Sequence, residues 1–242
     1  MYQKIGLKMA TSYSPNFNLP KRAKNRIKFI IIHYTGMKKE SAAIKRLQDP
    51  KSKVSAHYLI KNNGVIINLV PDLYEAWHAG VSSWKHFTSL NKNSIGIEIS
   101  NPGHQHGYKN FNKKQIYSLI KLSKKLIKKY PIKNKYILGH SDIAPLRKKD
   151  PGEKFPWKIL SKKNIGIWHK YKKKIKNRFI DIKSTDLKNE FFLNLRKYGY
   201  SINSKNLLDK RKIIKVFQMR FRPEKVNGII DFETYNILKT LN

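Results

Sequence analysis

No cysteine occurs among the 242 residues. Its absence excludes disulfides and thiolate metal ligands and leaves the chain indifferent to the redox state of its compartment, so any metal must be held by histidine and carboxylate. Acidic residues are scarce, 15 against 52 lysines and arginines, for a formal charge of +37. An excess of that size favours polyanions such as nucleic acid, anionic lipid or an acidic cell-wall polymer. Abundant lysine, isoleucine and asparagine are also what a biased genome composition produces, so the charge names a class of partner and not a reaction. No stretch approaches the ~20 apolar residues of a membrane span, and no transmembrane segment is expected. The lead-in "MYQKIGLKMATSYSPNFNLPKRAKNRIK" has neither the uninterrupted apolar region nor the small-residue cleavage site of a secretion signal. Nucleic-acid recognition motifs and internal repeats are missing too, so no specific nucleic-acid partner is expected.

What is present argues for a folded protein: 40% hydrophobic and 12% aromatic residues. "RIKFIIIHYT" reads as a buried strand ending at His33, because a short β-branched run fits a central strand better than a helix. "ESAAIKRLQ" predicts a short helix. "VSAHYLI" and "VIINLV" predict a hairpin across "KNNG", with Asn63 and Gly64 supplying positive φ angles. In "SIGIEIS" the alternation of Ile95, Ile97 and Ile99 predicts a half-buried strand. From Asn112 to Tyr130 the apolar residues fall on one helical face behind a capping box of Asn112 and Gln115. "KYILG" is another strand, delivering His140 to its end. Strands interleaved with helices predict an α/β fold with a central mixed sheet flanked by helices.

From about Lys170 the texture changes. Three short helical patterns follow, with stripes at Leu187, Phe191, Leu195 and Tyr198 and at Ile213, Ile214, Phe217 and Phe221. They predict a small C-terminal three-helix bundle. The expected organisation is an N-terminal extension over 1–22, an α/β domain over 23–170, a basic linker over 171–180 and a helical domain over 181–242.

His33, His140 and Asp150 end elements expected to lie side by side. Two neutral imidazoles and one carboxylate form a three-ligand set suited to catalytic zinc, with the fourth position left to water. Plainer alternatives stand beside this reading: a core histidine bonded to backbone for His33 and a turn-initiating aspartate for Asp150, while Glu98 in the "SIGIEIS" strand could be a solvated outer-face carboxylate. Trp77 and Trp84 could equally belong to the core.

The surrounding strings are more specific. "FIIIHYTG", "VSAHYLI", "AWHAGVSSW", "LNKNSIGIEISN" and "GHSDIAPLRKKDPGEKFPW" resemble, in order and placement, the successive motifs of the zinc-dependent N-acetylmuramoyl-L-alanine amidases of type 2, a family that also contains phage lysozymes and peptidoglycan recognition proteins. The likeness spans roughly residues 25 to 170 and is greatest to the branch with a C-terminal helical appendage. "NGIIDFETYNIL" after a "FQ" helix resembles more loosely a peptidoglycan-binding module.

Carried over position by position, the resemblance implies one zinc ion at His33, His140 and Asp150. Glu98 matches the family's proton-transferring carboxylate and Lys148 its oxyanion-stabilising lysine. His57, Trp77, His78 and Asn91 lie in motifs that line the cleft around sugar and stem peptide. The tyrosine that precedes the histidine of the phage "YHF" segment is replaced by Ala56, which leaves Glu98 as the proton carrier. The third ligand, cysteine in the phage and recognition branches, is Asp150. The implied activity is hydrolysis of the amide between N-acetylmuramic acid, or its 1,6-anhydro form, and L-alanine, with peptidoglycan or muropeptides as partner. A monomer is expected. The appended module favours the bacterial envelope, while the missing signal leaves the cytoplasm open. The alternative class is a non-hydrolytic peptidoglycan-binding protein, against which the intact Glu98, Lys148 and ligand set speak.

Overall fold

The isoleucine-rich runs form the centre of the sheet in the computed structural model, which describes residues 9–172, 178–203 and 206–241. The strands of the main sheet are β1 (Met9–Thr11), β2 (Phe29–Tyr34), β3 (Tyr58–Ile60), β4 (Ile66–Asn68), β5 (Ser94–Ile99) and β6 (Ile137–Gly139). They lie in the order β1-β4-β3-β5-β2-β6, parallel throughout except for the β3–β4 hairpin. The mixed sheet is therefore as expected. β5 is paired on both edges, by β3 and β2. It is a central strand, not the half-buried one that alternation predicts, because layers cover both faces of the sheet.

The helices are α1 (Glu40–Gln48), α2 (Lys113–Lys129), α3 (His140–Ile143), α4 (Trp157–Ser161), α5 (Thr185–Tyr198), α6 (Leu207–Phe221) and α7 (Phe232–Lys239). Successive strand residues point to opposite faces. Ile30, Ile32, Ile95, Ile97 and Ile99 meet Leu119, Leu122 and Leu126 of α2 on one face. Its capping box forms as the sequence predicts: Asn112 Oδ1 accepts the Gln115 N–H at 3.0 Å, and Gln115 Oε1 accepts the Asn112 N–H at 3.1 Å. On the other face Phe29, Ile31 and Leu138 share one apolar cluster with Phe191, Leu195, Ile213 and Phe217. The C-terminal stripes thus turn inward onto the sheet.

The hairpin turn differs in detail. Gly64 has a φ of +83°, whereas Asn63 is not among the residues with positive φ. Lys61 and Val65 close the loop around three residues, and Asn63 Oδ1 instead accepts the Val65 N–H at 3.0 Å. A three-residue connection needs one left-handed position, where the two-residue turn needs two.

Of the expected N-terminal extension, residues 1–8 lie outside the described residues, as do 173–177 of the expected linker. Arg22, the extension's last residue, is stitched into the sheet domain through the carbonyls of Asn91 and Ser94, each at 2.7 Å.

A buried ion pair holds the C-terminal helices together. Arg222 and Asp231 meet at 2.5 Å, and Asp231 Oδ1 also accepts the Thr234 N–H at 2.9 Å to cap α7. Removing the acid takes away the shorter carboxylate contact of a buried guanidinium, leaving Glu233 4.0 Å away, and also removes the cap. Asp231→Ala should lower unfolding free energy by about 3–5 kcal/mol, seen as a lower urea midpoint by circular dichroism; an unchanged midpoint would show that the pair holds nothing.

Candidate metal centre

Strand register brings the first groups together. His33 on β2 is the register partner of Glu98 on β5, and on the other side Ile32 pairs with Gly139, the last residue of β6. His140 follows at once as the first residue of α3. Asp150 returns to this point because Ser141 N–H donates to the Asp150 carbonyl at 2.8 Å. Gly139 is required there: a Cβ at that position would lie 2.6 Å from Cδ of Pro151.

His33 Nδ1, His140 Nδ1 and Asp150 Oδ2 form a triangle with sides of 2.9, 3.1 and 3.0 Å. All three residues are buried. The hydrogen bonds behind them fix the tautomers. Ser94 Oγ–H donates to the Leu90 carbonyl at 2.6 Å, so Ser94 Oγ accepts from His78 Nε2–H at 3.2 Å. His78 Nδ1 then accepts from His33 Nε2–H at 3.1 Å, leaving His33 Nδ1 with a bare lone pair. His140 Nε2–H donates to the Ala79 carbonyl at 3.0 Å, with the same result at its Nδ1.

Three lone-pair donors therefore face one another at separations close to the about 3.3 Å edge of a tetrahedral ion with bonds of about 2.0–2.1 Å. Such an arrangement repels itself until a cation sits among the donors. Burial, and then the neighbouring His140, lowers the His33 pKa to about 4, so this imidazole is neutral at pH 7. Two neutral imidazoles and one carboxylate, with their outer hydrogen bonds satisfied, fit a divalent metal ion.

The triangle forms part of the floor of a cavity of about 640 Å³. Glu98 lies beside it, its Oε2 buried with no hydrogen-bond partner among the described residues. Burial, and then Asp150, raises its pKa to about 8, with Lys148 acting in the opposite sense. Lys148 lines the same cavity. The adjacent Arg147 is spent on structure, donating to the Ala79 and Val81 carbonyls at 2.8 and 2.6 Å.

The remaining sequence candidates divide. Trp77 is on the cavity wall, its indole N–H bonded to Asn18 Oδ1 at 2.9 Å. Trp84 is core, packed edge-on against Tyr198 and Tyr200. His78 borders the cavity, yet both its ring nitrogens are engaged in orienting His33. His57 and Asn91 do not line the cavity. His57 is fully buried, accepting the Gly96 N–H at 3.0 Å and donating to the Tyr74 carbonyl at 3.0 Å, and burial followed by the charge of Arg22 lowers its pKa to about 3. Asn91 Oδ1 accepts the N–H groups of His78 and Ala79 at 3.1 and 2.7 Å and so fixes the loop that carries them. These two support the wall from behind.

Sequence reading passed over Ser94, Gly96 and Tyr34. Gly96 lets the His78 ring lie on β5, since a Cβ there would approach the ring to 2.4 Å. The signal was the glycine between two isoleucines in "SIGIEIS". Tyr34 Oη meets His104 Nδ1 at 2.9 Å, and His104 Nε2 meets Glu153 at 3.0 Å, tying two cavity-lining side chains to a residue behind them.

Comparison with known proteins agrees with this geometry. The family model described as N-acetylmuramoyl-L-alanine amidase matches residues 23–153. The chain is 38% identical over 232 residues to the N-acetylmuramoyl-L-alanine amidase AmiD of Escherichia coli, covering 89% of this chain and 82% of that protein. It is 42% identical over 106 residues to the 1,6-anhydro-N-acetylmuramyl-L-alanine amidase AmpD of Haemophilus influenzae, covering 43% of this chain and 55% of that one. Among solved structures, AmiD of E. coli in complex with the substrate anhydro-N-acetylmuramic acid-L-Ala-D-γ-Glu-L-Lys superposes with a TM-score of 0.81 at 36% identity, over 93% of this chain and 91% of that one. AmpDh3 of Pseudomonas aeruginosa gives 0.79 at 32% identity, over 94% and 96%. With the family model spanning more than half of the residues and the likeness to AmiD running through the C-terminal helices, the chain belongs to the N-acetylmuramoyl-L-alanine amidase family.

Proposed function

We propose that this chain hydrolyses the amide between N-acetylmuramic acid, or its 1,6-anhydro form, and L-alanine in peptidoglycan or muropeptides, with one zinc ion held by His33, His140 and Asp150. The observation that carries this reading is the convergence of three lone-pair donors beside a carboxylate, Glu98, with one oxygen buried and without a partner among the described residues, in one cavity. Zinc at such a donor set supplies a Lewis acid and lowers the pKa of water to near 7.

The chain's own residues do the rest. Glu98 takes a proton from the attacking water and passes it to the departing alanine nitrogen, so that one carboxylate serves as base and then as acid. Its raised pKa suits both roles. Lys148 offsets negative charge developing on the carbonyl oxygen. Trp77, Tyr34 and Arg46 border the cavity and would shape the binding of sugar and peptide. AmiD, the relative solved with an anhydromuropeptide, supports the substrate class.

Residues 23–170 would then carry the chemistry, and 181–242 would hold the enzyme on the polymer, raising local concentration. A monomer working at the bacterial envelope fits this reading. Among the described residues no helix is long and apolar enough to cross a membrane.

Incubating the zinc-loaded protein with muropeptides should release stem peptides that begin with L-Ala, detected by mass spectrometry; intact muropeptides would refute the reading. Glu98→Ala should keep zinc, by elemental analysis, while turnover falls about 10²–10⁴-fold. Complete chelation should abolish hydrolysis and added zinc should restore it, and a rate that survives metal removal would sink the assignment. In the metal-free protein, the raised pKa of Glu98 means that its contribution to stability is present below 4.5 and is lost as pH rises to about 8. Glu98→Gln should flatten that part of a plot of melting temperature against pH.

A further inference from the structure

The helix that carries His140 is too short to orient itself. α3 has four residues, and a single turn has no stability of its own in water. What fixes it is Asp142, two residues after His140 and buried. One of its oxygens, Oδ2, accepts the Gly139 N–H at 2.8 Å, at the junction where β6 becomes α3. The other donors come from the C-terminal helices and the loop between them. Tyr200, just beyond α5, donates its hydroxyl to Oδ1 at 2.5 Å, and Arg220 of α6 donates to Oδ2.

Arg220 also donates to the Ile137 carbonyl at 3.1 Å and stacks its guanidinium 4.2 Å above the Trp157 ring. It therefore grips both the strand that leads to His140 and the acid that follows it. Asp142 and Arg220 are each at most 2% exposed, so the pair is shielded from water, and withdrawing either donor would leave a buried carboxylate undersatisfied. The turn would have to rotate to rehydrate it. Among the described residues His140 Nε2 bonds the Ala79 carbonyl alone, so its ring is set by that contact and by the direction of α3, and a metal centre tolerates about 0.5 Å of displacement.

We infer that Tyr200 and Arg220 are positioning residues for the metal centre: acting through Asp142 they fix α3 and with it the His140 ring, so the C-terminal helices complete the hydrolytic site in addition to any hold on the polymer. This rests on His33, His140 and Asp150 being the metal ligands. It gives the helices a second role that a removable binding module would not have.

The test uses the full chain loaded with cobalt(II) or zinc, and compares wild type with Tyr200→Phe, Arg220→Gln, Arg220→Lys and Ile213→Val. The last trims the α6 core at an apolar residue unable to bond Asp142. All are read at a temperature where circular dichroism shows each to be folded. Tyr200→Phe and Arg220→Gln should weaken metal binding about tenfold, change the visible cobalt spectrum, and lower kcat while KM holds. Arg220→Lys, which keeps the charge, should recover part of the loss, and Ile213→Val should match wild type. Tyr200→Phe removes one hydroxyl and keeps the ring, so it remains informative if the Arg220 variants do not fold. Wild-type metal affinity and spectrum in Tyr200→Phe and in whichever Arg220 variants fold would overturn the inference, as would an equal change in Ile213→Val. A wild-type chain that takes up neither metal would instead overturn the ligand assignment beneath it.

Discussion

Parallel pairing of β2 with β5 on one side and β6 on the other sets where every group of the site can stand. Backbone hydrogen bonds between these strands fix a register in which His33 and Glu98 are neighbours on one face and His140 begins one step beyond the adjacent strand. A slip of one residue would turn His33 into the face occupied by α2. The isoleucines at the intervening positions resist such a slip, because each is buried against that helix layer. Hydrophobic burial on one face thus holds the polar chemistry on the other.

That chemistry is costly in an interior, and the structure offsets the cost outward in steps. The lone pairs of the triangle are aimed by His78 and the Ala79 carbonyl, His78 is aimed by Ser94, and the loop bearing His78 and Ala79 is held by Asn91. Each polar group in this series finds its partner in the next layer, as low-dielectric surroundings demand. Glu98 Oε2 is left outside this scheme among the described residues, a position that suits the proton transfer proposed for it.

Much of this was legible in the sequence. The β-branched runs, the 3.6-residue stripes and the Asn112 cap announced the elements because each depends on local chemistry. The convergence of His33, His140 and Asp150 was legible because the glycine before His140 and the proline after Asp150 pack on each other, so the motif records a contact. His57 and Asn91 stand behind the cavity lining, since a motif shows which residues lie near a cleft and not which way they face. The burial of β5 on both edges, the turn at Asn63 and the attachment of the C-terminal helices to α3 depend on partners far along the chain. No local pattern carries them.

The distribution of acidic side chains has a wider consequence. Asp72, Asp142, Asp150, Asp231 and Glu233 are drawn into the interior, so much of the small anionic complement of the chain is shielded from solvent. The outer surface is correspondingly more one-sided than the overall composition suggests. Copies of the molecule repel one another at low ionic strength, and a polyanionic mesh gathers them with a grip that mobile salt loosens.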